Sequence, residues 1–124
     1  MNNIIGQLDH ITILTNKLNE SIEFYTNIFD LKIADWRPNF SFSGAWLSIQ
    51  NNAIIHLVEV GELYRNTGNI DHVALQGKDL PALKEKLKSH KIKFLEKVTP
   101  DNMNCQIFIT DPNTVKIELT YPKL

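Results

Sequence analysis

The stretch Ile70-Asp71-His72-Val73-Ala74-Leu75-Gln76 has the composition of a short strand, with a histidine written into its centre. A near-copy, Leu8-Asp9-His10-Ile11-Thr12-Ile13-Leu14, lies 62 positions earlier, and 62 is half of the 124 residues. The offset holds along the chain. Leu18 falls on Leu80, Trp46 on Phe108, Asn51 on Asn113, Ile55 on Ile117 and Leu57 on Leu119. One register kept from the first strand to the last marks an internal duplication.

Both halves predict the same order of elements. In the first, the strand over residues 8–14 leads into Thr15-Asn16-Lys17, capping residues ahead of Leu18, Ile22, Tyr25 and Phe29 at helical spacing. Strands are expected over 32–37, stopped by Pro38, then over 43–50 and 53–60, with Asn51-Asn52 as the tight turn between the last two. A connector over 61–69, with Asn66 and Gly68 as loop residues, opens the second half. There the strand over 70–76 is followed by Asp79 as N-cap, Pro81 in the first helical turn and Leu80, Leu83 and Leu87 as the buried stripe. Strands over 93–98, 104–110 and 115–121 complete it, the last two joined at Asp111-Pro112-Asn113-Thr114. The expected class is α+β: one domain over 1–124, made of two βαβββ modules (about 7–60 and 69–121, within halves 1–62 and 63–124).

Composition narrows the function. A formal net charge of −1 and 22% charged residues give no basic footprint for nucleic acid. No apolar run reaches the roughly 20 residues a membrane span needs, and no signal pattern opens the chain, so the expectation is a cytoplasmic protein. The single cysteine, Cys105, excludes an intrachain disulfide and reads as a small hydrophobe rather than a nucleophile. His90, at a predicted helix C-terminus, suits the macrodipole and is given no role.

The duplication pairs His10 with His72 and His56 with Glu118. Side chains at i and i+2 share a strand face. Ile11 and Ile13, Val73 and Leu75, Ile55 and Leu57, and Ile117 and Leu119 form the apolar faces that must meet the helices. His10, His56, His72 and Glu118 are left on the opposite faces, lining a cavity if the two half-sheets curve toward each other. Burying a carboxylate there is costly without a cation. A divalent metal removes the cost, and three imidazoles with one carboxylate suit zinc, nickel, iron(II), manganese or cobalt better than calcium or magnesium. Four protein donors leave a six-coordinate ion two adjacent open positions, fitted to a small molecule that chelates through vicinal oxygens. Glu118 is then the expected base as well as a ligand. Gln106, Phe108, Trp46 and Thr12 are candidate substrate-lining residues.

These motifs, with Ser21-Ile22-Glu23-Phe24-Tyr25, Gly44-Ala45-Trp46-Leu47, Ile55-His56-Leu57 and Phe108-Ile109-Thr110-Asp111-Pro112-Asn113, resemble the vicinal oxygen chelate superfamily. That superfamily includes glyoxalase I, bleomycin-resistance proteins, extradiol dioxygenases and fosfomycin-resistance thiol transferases. The resemblance implies a metal-dependent lyase or isomerase with ligands at His10, His56, His72 and Glu118, commonly a homodimer with sites shared between chains. An iron-dependent extradiol dioxygenase and a non-catalytic drug-binding protein are the alternatives it carries. The chain departs from the superfamily in places. Leu14 and Val60 stand where glyoxalase I has an arginine and an asparagine, Phe108 where the thiol transferases have a tyrosine, and Thr114 where a turn glycine is usual, which predicts a turn without positive φ at that residue.

Overall fold

The computed structural model describes residue 4 and residues 6–63 and 68–123. The strands and helices run β1 (Ile11–Thr15), α1 (Leu18–Phe29), β2 (Lys32–Ile33), β3 (Gly44–Ile49), β4 (Asn52–Glu59), β5 (Val73–Gln76), α2 (Leu80–Ser89), β6 (Leu95–Val98), β7 (Asn104–Thr110) and β8 (Lys116–Pro122). They form two four-stranded mixed sheets, ordered β1-β4-β3-β2 and β5-β8-β7-β6, so the α+β pair of βαβββ modules is the observed architecture. In each module the first strand lies parallel to the last and the remaining pairs are antiparallel. Asn66 of the predicted connector lies outside the described residues, and no described helix is long and apolar enough to cross a membrane.

Alternation places most of the core where the sequence put it, but Ile11, Val73 and Leu75 of the edge strands are only half-buried. Ile13, Ile55, Leu57, Ile117 and Leu119 are buried, and Tyr25 and Ile28 of α1 and Leu83 and Leu87 of α2 close over them in one cluster. Each fully buried aliphatic side chain of this kind contributes about 1.5–3 kcal/mol.

Local structure departs from the expectations at several points. His10 and His72 each sit one residue ahead of their strand rather than at its centre. Both strands have a neighbour on one side only, and such ladders fray at their ends. The second strand shrinks to Lys32–Ile33, because one more bond, Ala34 N–H to Trp46 O at 2.8 Å, is followed by a turn at Asp35-Trp36 and by Pro38, which has no N–H to give. The first hairpin turns on Gln50-Asn51 rather than Asn51-Asn52, since Ile49 pairs with Asn52 and both loop residues take positive φ (50° and 67°). Helix α1 begins without a side-chain cap. Thr15 instead accepts the Lys17 N–H at 2.8 Å, forming the turn that leads in. Asp79 caps α2 as expected, accepting from Ala82 N–H at 3.1 Å.

Thr114 overturns its expectation: it takes φ 67°, a conformation unfavourable for a β-branched residue. The turn holding it is locked into the other module. Tyr25 Oη donates to Asp111 Oδ2 at 2.7 Å, while Asp111 Oδ1 accepts the N–H groups of Asn113 and Val115, each at 2.8 Å. Thr15 Oγ1 donates to Asn113 Oδ1 at 2.6 Å, and Asn113 Nδ2 donates to Ser21 Oγ at 2.9 Å. Thr15, Ser21, Tyr25, Asp111 and Asn113 are all buried, so the network is a specific clasp between the modules. Burial, then the Asp111 charge, pushes the Tyr25 hydroxyl far above its ordinary value, keeping it a donor. The equivalent turn of the first half, at Gln50-Asn51, is exposed. The duplicated turn has become a clasp in one copy only.

Candidate functional site

The four expected ligands are gathered as two pairs, one on each sheet. On the second sheet, His72 stands just before β5 and Glu118 in β8, whose Ala74–Glu118 register brings them to one end. His72 Nε2 lies 3.1 Å from Glu118 Oε1, and His72 Nδ1 lies 2.8 Å from Asp71 Oδ2. Gln106 Nε2 donates to Glu118 Oε2 at 3.2 Å, and Phe108, opposite Glu118 in the ladder, meets the His72 ring edge to face (6.2 Å, 81°). Glu118 is 8% exposed, so both oxygens are held in a site nearly cut off from water. The hydrogen bond from His72, then Lys116, holds the Asp71 carboxyl below its ordinary range.

On the first sheet, His10 Nδ1 lies 2.6 Å from Asp9 Oδ2. The His10 and His56 rings stack at 3.7 Å with 13° between planes, and His56 stacks in turn on Trp46 at 4.1 Å and 11°. The strand register explains the column, since His56 of β4 pairs with Trp46 of β3 on one side and Thr12 of β1 on the other. Gly44 permits β3 to lie this close, as a Cβ there would stand 2.2 Å from Leu57 O. Burial, then the neighbouring His10, pulls the His56 imidazole below its ordinary value.

The fit of the donor set to a metal depends on where its lone pairs point. Asp71 can only accept, so its contact fixes a hydrogen on His72 Nδ1, and the 3.1 Å between His72 Nε2 and Glu118 Oε1 brings a ring nitrogen lone pair or N–H against a carboxylate oxygen. Two such atoms need a cation, a proton or a metal ion, between them. Carboxylate support of the far ring nitrogen is also how metal-binding imidazoles are commonly held. The residues fit a metal, but in halves: among the described residues no group of three or more His, Cys, Asp or Glu side chains is close enough to hold one.

Of the substrate-lining candidates, Gln106 and Phe108 sit with Glu118, and Trp46 sits with His56. Thr12 instead lines a cavity of about 530 Å³ along the seam between β1, the start of β5 and the 113–116 turn, which none of the other three lines. Cys105 is half-buried and donates to Glu96 Oε2 at 3.5 Å, and burial followed by Glu96 pushes its thiol up, away from nucleophile chemistry. Asp9 and Asp71 are the residues that strand reasoning left without a role. Their signal was present, an Asp-His dipeptide written at the same place in both halves. Arg37, whose guanidinium carbon lies 4.9 Å from the Phe40 ring centre and 5.6 Å from that of Phe42, had no such signal, because it belongs to an irregular loop.

Several known proteins are similar to this chain in sequence or in fold. A metallothiol transferase, FosB, from Bacillus licheniformis is 28% identical over 124 residues, covering 95% of this chain and 77% of its own length. The fosfomycin resistance protein FosX from Listeria monocytogenes superimposes with a TM-score of 0.77 at 22% identity, covering 98% of this chain and 97% of its own. A FosX variant solved with Mn(II) and 1S,2S-dihydroxypropylphosphonic acid gives 0.78 at 22% identity, over 98% of this chain and 95% of its own. A glyoxylase/bleomycin resistance protein/dioxygenase domain from Frankia gives 0.78 at 19% identity, over 96% and 93%. The sequence model of the Glyoxalase/Bleomycin resistance protein/Dioxygenase superfamily matches residues 7–119, and the chain belongs to that superfamily.

Proposed function

We propose that the protein is a metal-dependent enzyme in which a divalent ion is held by His10 of one chain and by His72 and Glu118 of a second copy. Its proposed reaction is a lyase or isomerase step on a small molecule that chelates through vicinal oxygens. The observation that carries this is the contact of His72 Nε2 with Glu118 Oε1 at 3.1 Å, a spacing that two ligands of one ion can take, with Asp71 behind the imidazole. The chain presents the His10 half on one sheet and the His72–Glu118 half on the other. A two-fold homodimer brings each half against its complement twice. The edge strands β1 and β5 and the exposed Leu8 and Leu14 beside them offer it a surface.

An ion bound there by His10, His72 and Glu118 would supply Lewis-acid stabilisation of negative charge on the chelated oxygens. The rest falls to the side chains. Glu118 would serve as the base, by loosening from the ion or acting beside it, taking the proton from one carbon of the chelating substrate and returning it to the next. Gln106, bonded to Oε2, fixes the plane of that carboxylate. Its burial keeps water from competing for the proton.

A second reading is nucleophilic opening of an epoxide on a small phosphonate, in which the ring C–O bond breaks as the new bond forms and the freed oxygen takes up a proton, the diol bound in the FosX structure being what water would leave. It is favoured by Lys97 and Lys116, whose ammonium groups lie 5.9 and 5.3 Å from the Phe108 ring centre, beside the Glu118 half. Titration of metal-free protein with Mn(II), followed by thermal unfolding, tests the common core of both readings. A ligand at a hundredfold excess over its dissociation constant stabilises the folded state by about 2.7 kcal/mol. The wild type is expected to gain stability with Mn(II) while His72→Ala and Glu118→Gln do not. Equal gains in all three proteins would sink the site. Activity with α-hydroxycarbonyl substrates against thiol-dependent loss of a phosphonate epoxide separates the two reactions.

A further inference from the structure

The metal reading leaves His56 to be placed, and the following rests on that reading. We propose that His56 is a positioning residue for His10 and not a ligand of the ion. An imidazole binds through a lone pair in its ring plane, with the metal about 2.1 Å beyond the nitrogen. The His10 and His56 rings are stacked at 3.7 Å with only 13° between their planes. Their lone pairs therefore run side by side, and one ion cannot lie in both planes at bonding distance. Swinging His56 toward an ion held by His10 would break its stack on His10 and its stack on Trp46 together.

The sheet makes this arrangement hard to undo. The three rings stand on neighbouring strands, with His10 beside β1, His56 on β4 and Trp46 on β3, so adjacent strands set them face to face. The column is blocked at its far end. Phe40 lies 6.2 Å from Trp46, Phe42 stacks on Phe40 at 4.9 Å, and the Arg37 guanidinium, tied to Phe42 O at 3.1 Å, covers both. Support matters for His10 because it precedes the β1 ladder and its Nδ1 partner, Asp9, is 91% exposed. The second half answers the same need differently. There His72 has the edge-on Phe108, the counterpart of Trp46, and the counterpart of His56 is the ligand Glu118 itself. After duplication, the fourth-strand position became a donor in one module and a prop in the other.

The test is Co(II) and Mn(II) affinity, with the visible spectrum of the Co(II) protein, in the wild type and in His56→Phe, His56→Ala, His56→Glu and His10→Ala. A prop is restored by any flat ring. His56→Phe is expected to hold metal within about threefold of wild type with an unchanged Co(II) spectrum, while His56→Ala loses about tenfold, the usual scale for groups that orient a ligand. His10→Ala is expected to lose more. Trp46→Leu, which leaves every imidazole in place, is expected to weaken metal binding several-fold and keeps the test open if His56→Phe does not fold. If His56→Phe loses metal as fully as His10→Ala while His56→Glu retains it, His56 is a ligand and the inference is overturned. If His10→Ala binds metal like the wild type, the metal reading fails and takes this inference with it.

Discussion

Mixing two inactive variants offers a decisive check on where the site is assembled. In the proposed dimer each site takes His10 from one chain and His72 with Glu118 from the other. His10→Ala homodimers lack the imidazole at both sites, and Glu118→Gln homodimers lack the carboxylate at both. In a heterodimer of the two, one site collects both defects and the other collects none. Random pairing at equal concentrations makes half the dimers heterodimers, each with one intact site, so about a quarter of the wild-type site concentration returns under two-fold symmetry. Neither substitution touches the core or the Tyr25–Asp111 clasp, so both chains should fold and exchange. The assay is Mn(II) binding at a concentration that saturates wild type but leaves each variant nearly empty, after unfolding and refolding the mixture together, with light scattering to establish the dimer. Recovery near a quarter, absent when the variants are mixed without exchange, is the expected result. No recovery from a mixture that demonstrably exchanges would refute the shared site, because chains that each hold a complete site cannot repair one another.

The other expectations concern what holds the scaffold in place. Tyr25→Phe removes the buried donor to Asp111 Oδ2 and should cost about 1–3 kcal/mol, read as a lower urea midpoint at unchanged slope. Gly44→Ala puts a Cβ 2.2 Å from Leu57 O in the β3–β4 ladder and should destabilise by about 1–3 kcal/mol, with weaker metal binding because Trp46 and His56 stand on those two strands. Thr114→Gly relieves the positive φ of 67° and should raise stability by about 1 kcal/mol in the same unfolding assay; a loss would mean that the Thr114 Oγ1 bond to Asn113 O outweighs the backbone strain.

Much of this molecule is decided within a few residues. The period of two along a strand fixes which side chains share a face, so Ile55 and Leu57 had to go inward and His56 outward whatever the rest of the chain did. The fixed offset determined that the second half repeats the first, and so that a strand, a helix and three strands come twice. It also carried the Asp-His pairs, in which each carboxylate lies against Nδ1 of the next residue's imidazole. What the sequence could not decide is which outward face meets which. That depends on non-local packing: α1 lies against α2, with Asp30 paired to Lys86, and the Asp111–Val115 turn is seated between Thr15, Ser21 and Tyr25. Register within each sheet brings His10 to His56 and His72 to Glu118, whereas the relation between the sheets leaves these as two pairs, where four side chains on one face had suggested a single quartet. The clasp also overrides local preference at Thr114, because the bonds made by its neighbours Asn113 and Val115 outweigh the strain of one residue. Strand faces follow from backbone geometry that every residue carries with it, whereas the relation between sheets follows from contacts among residues up to 98 positions apart.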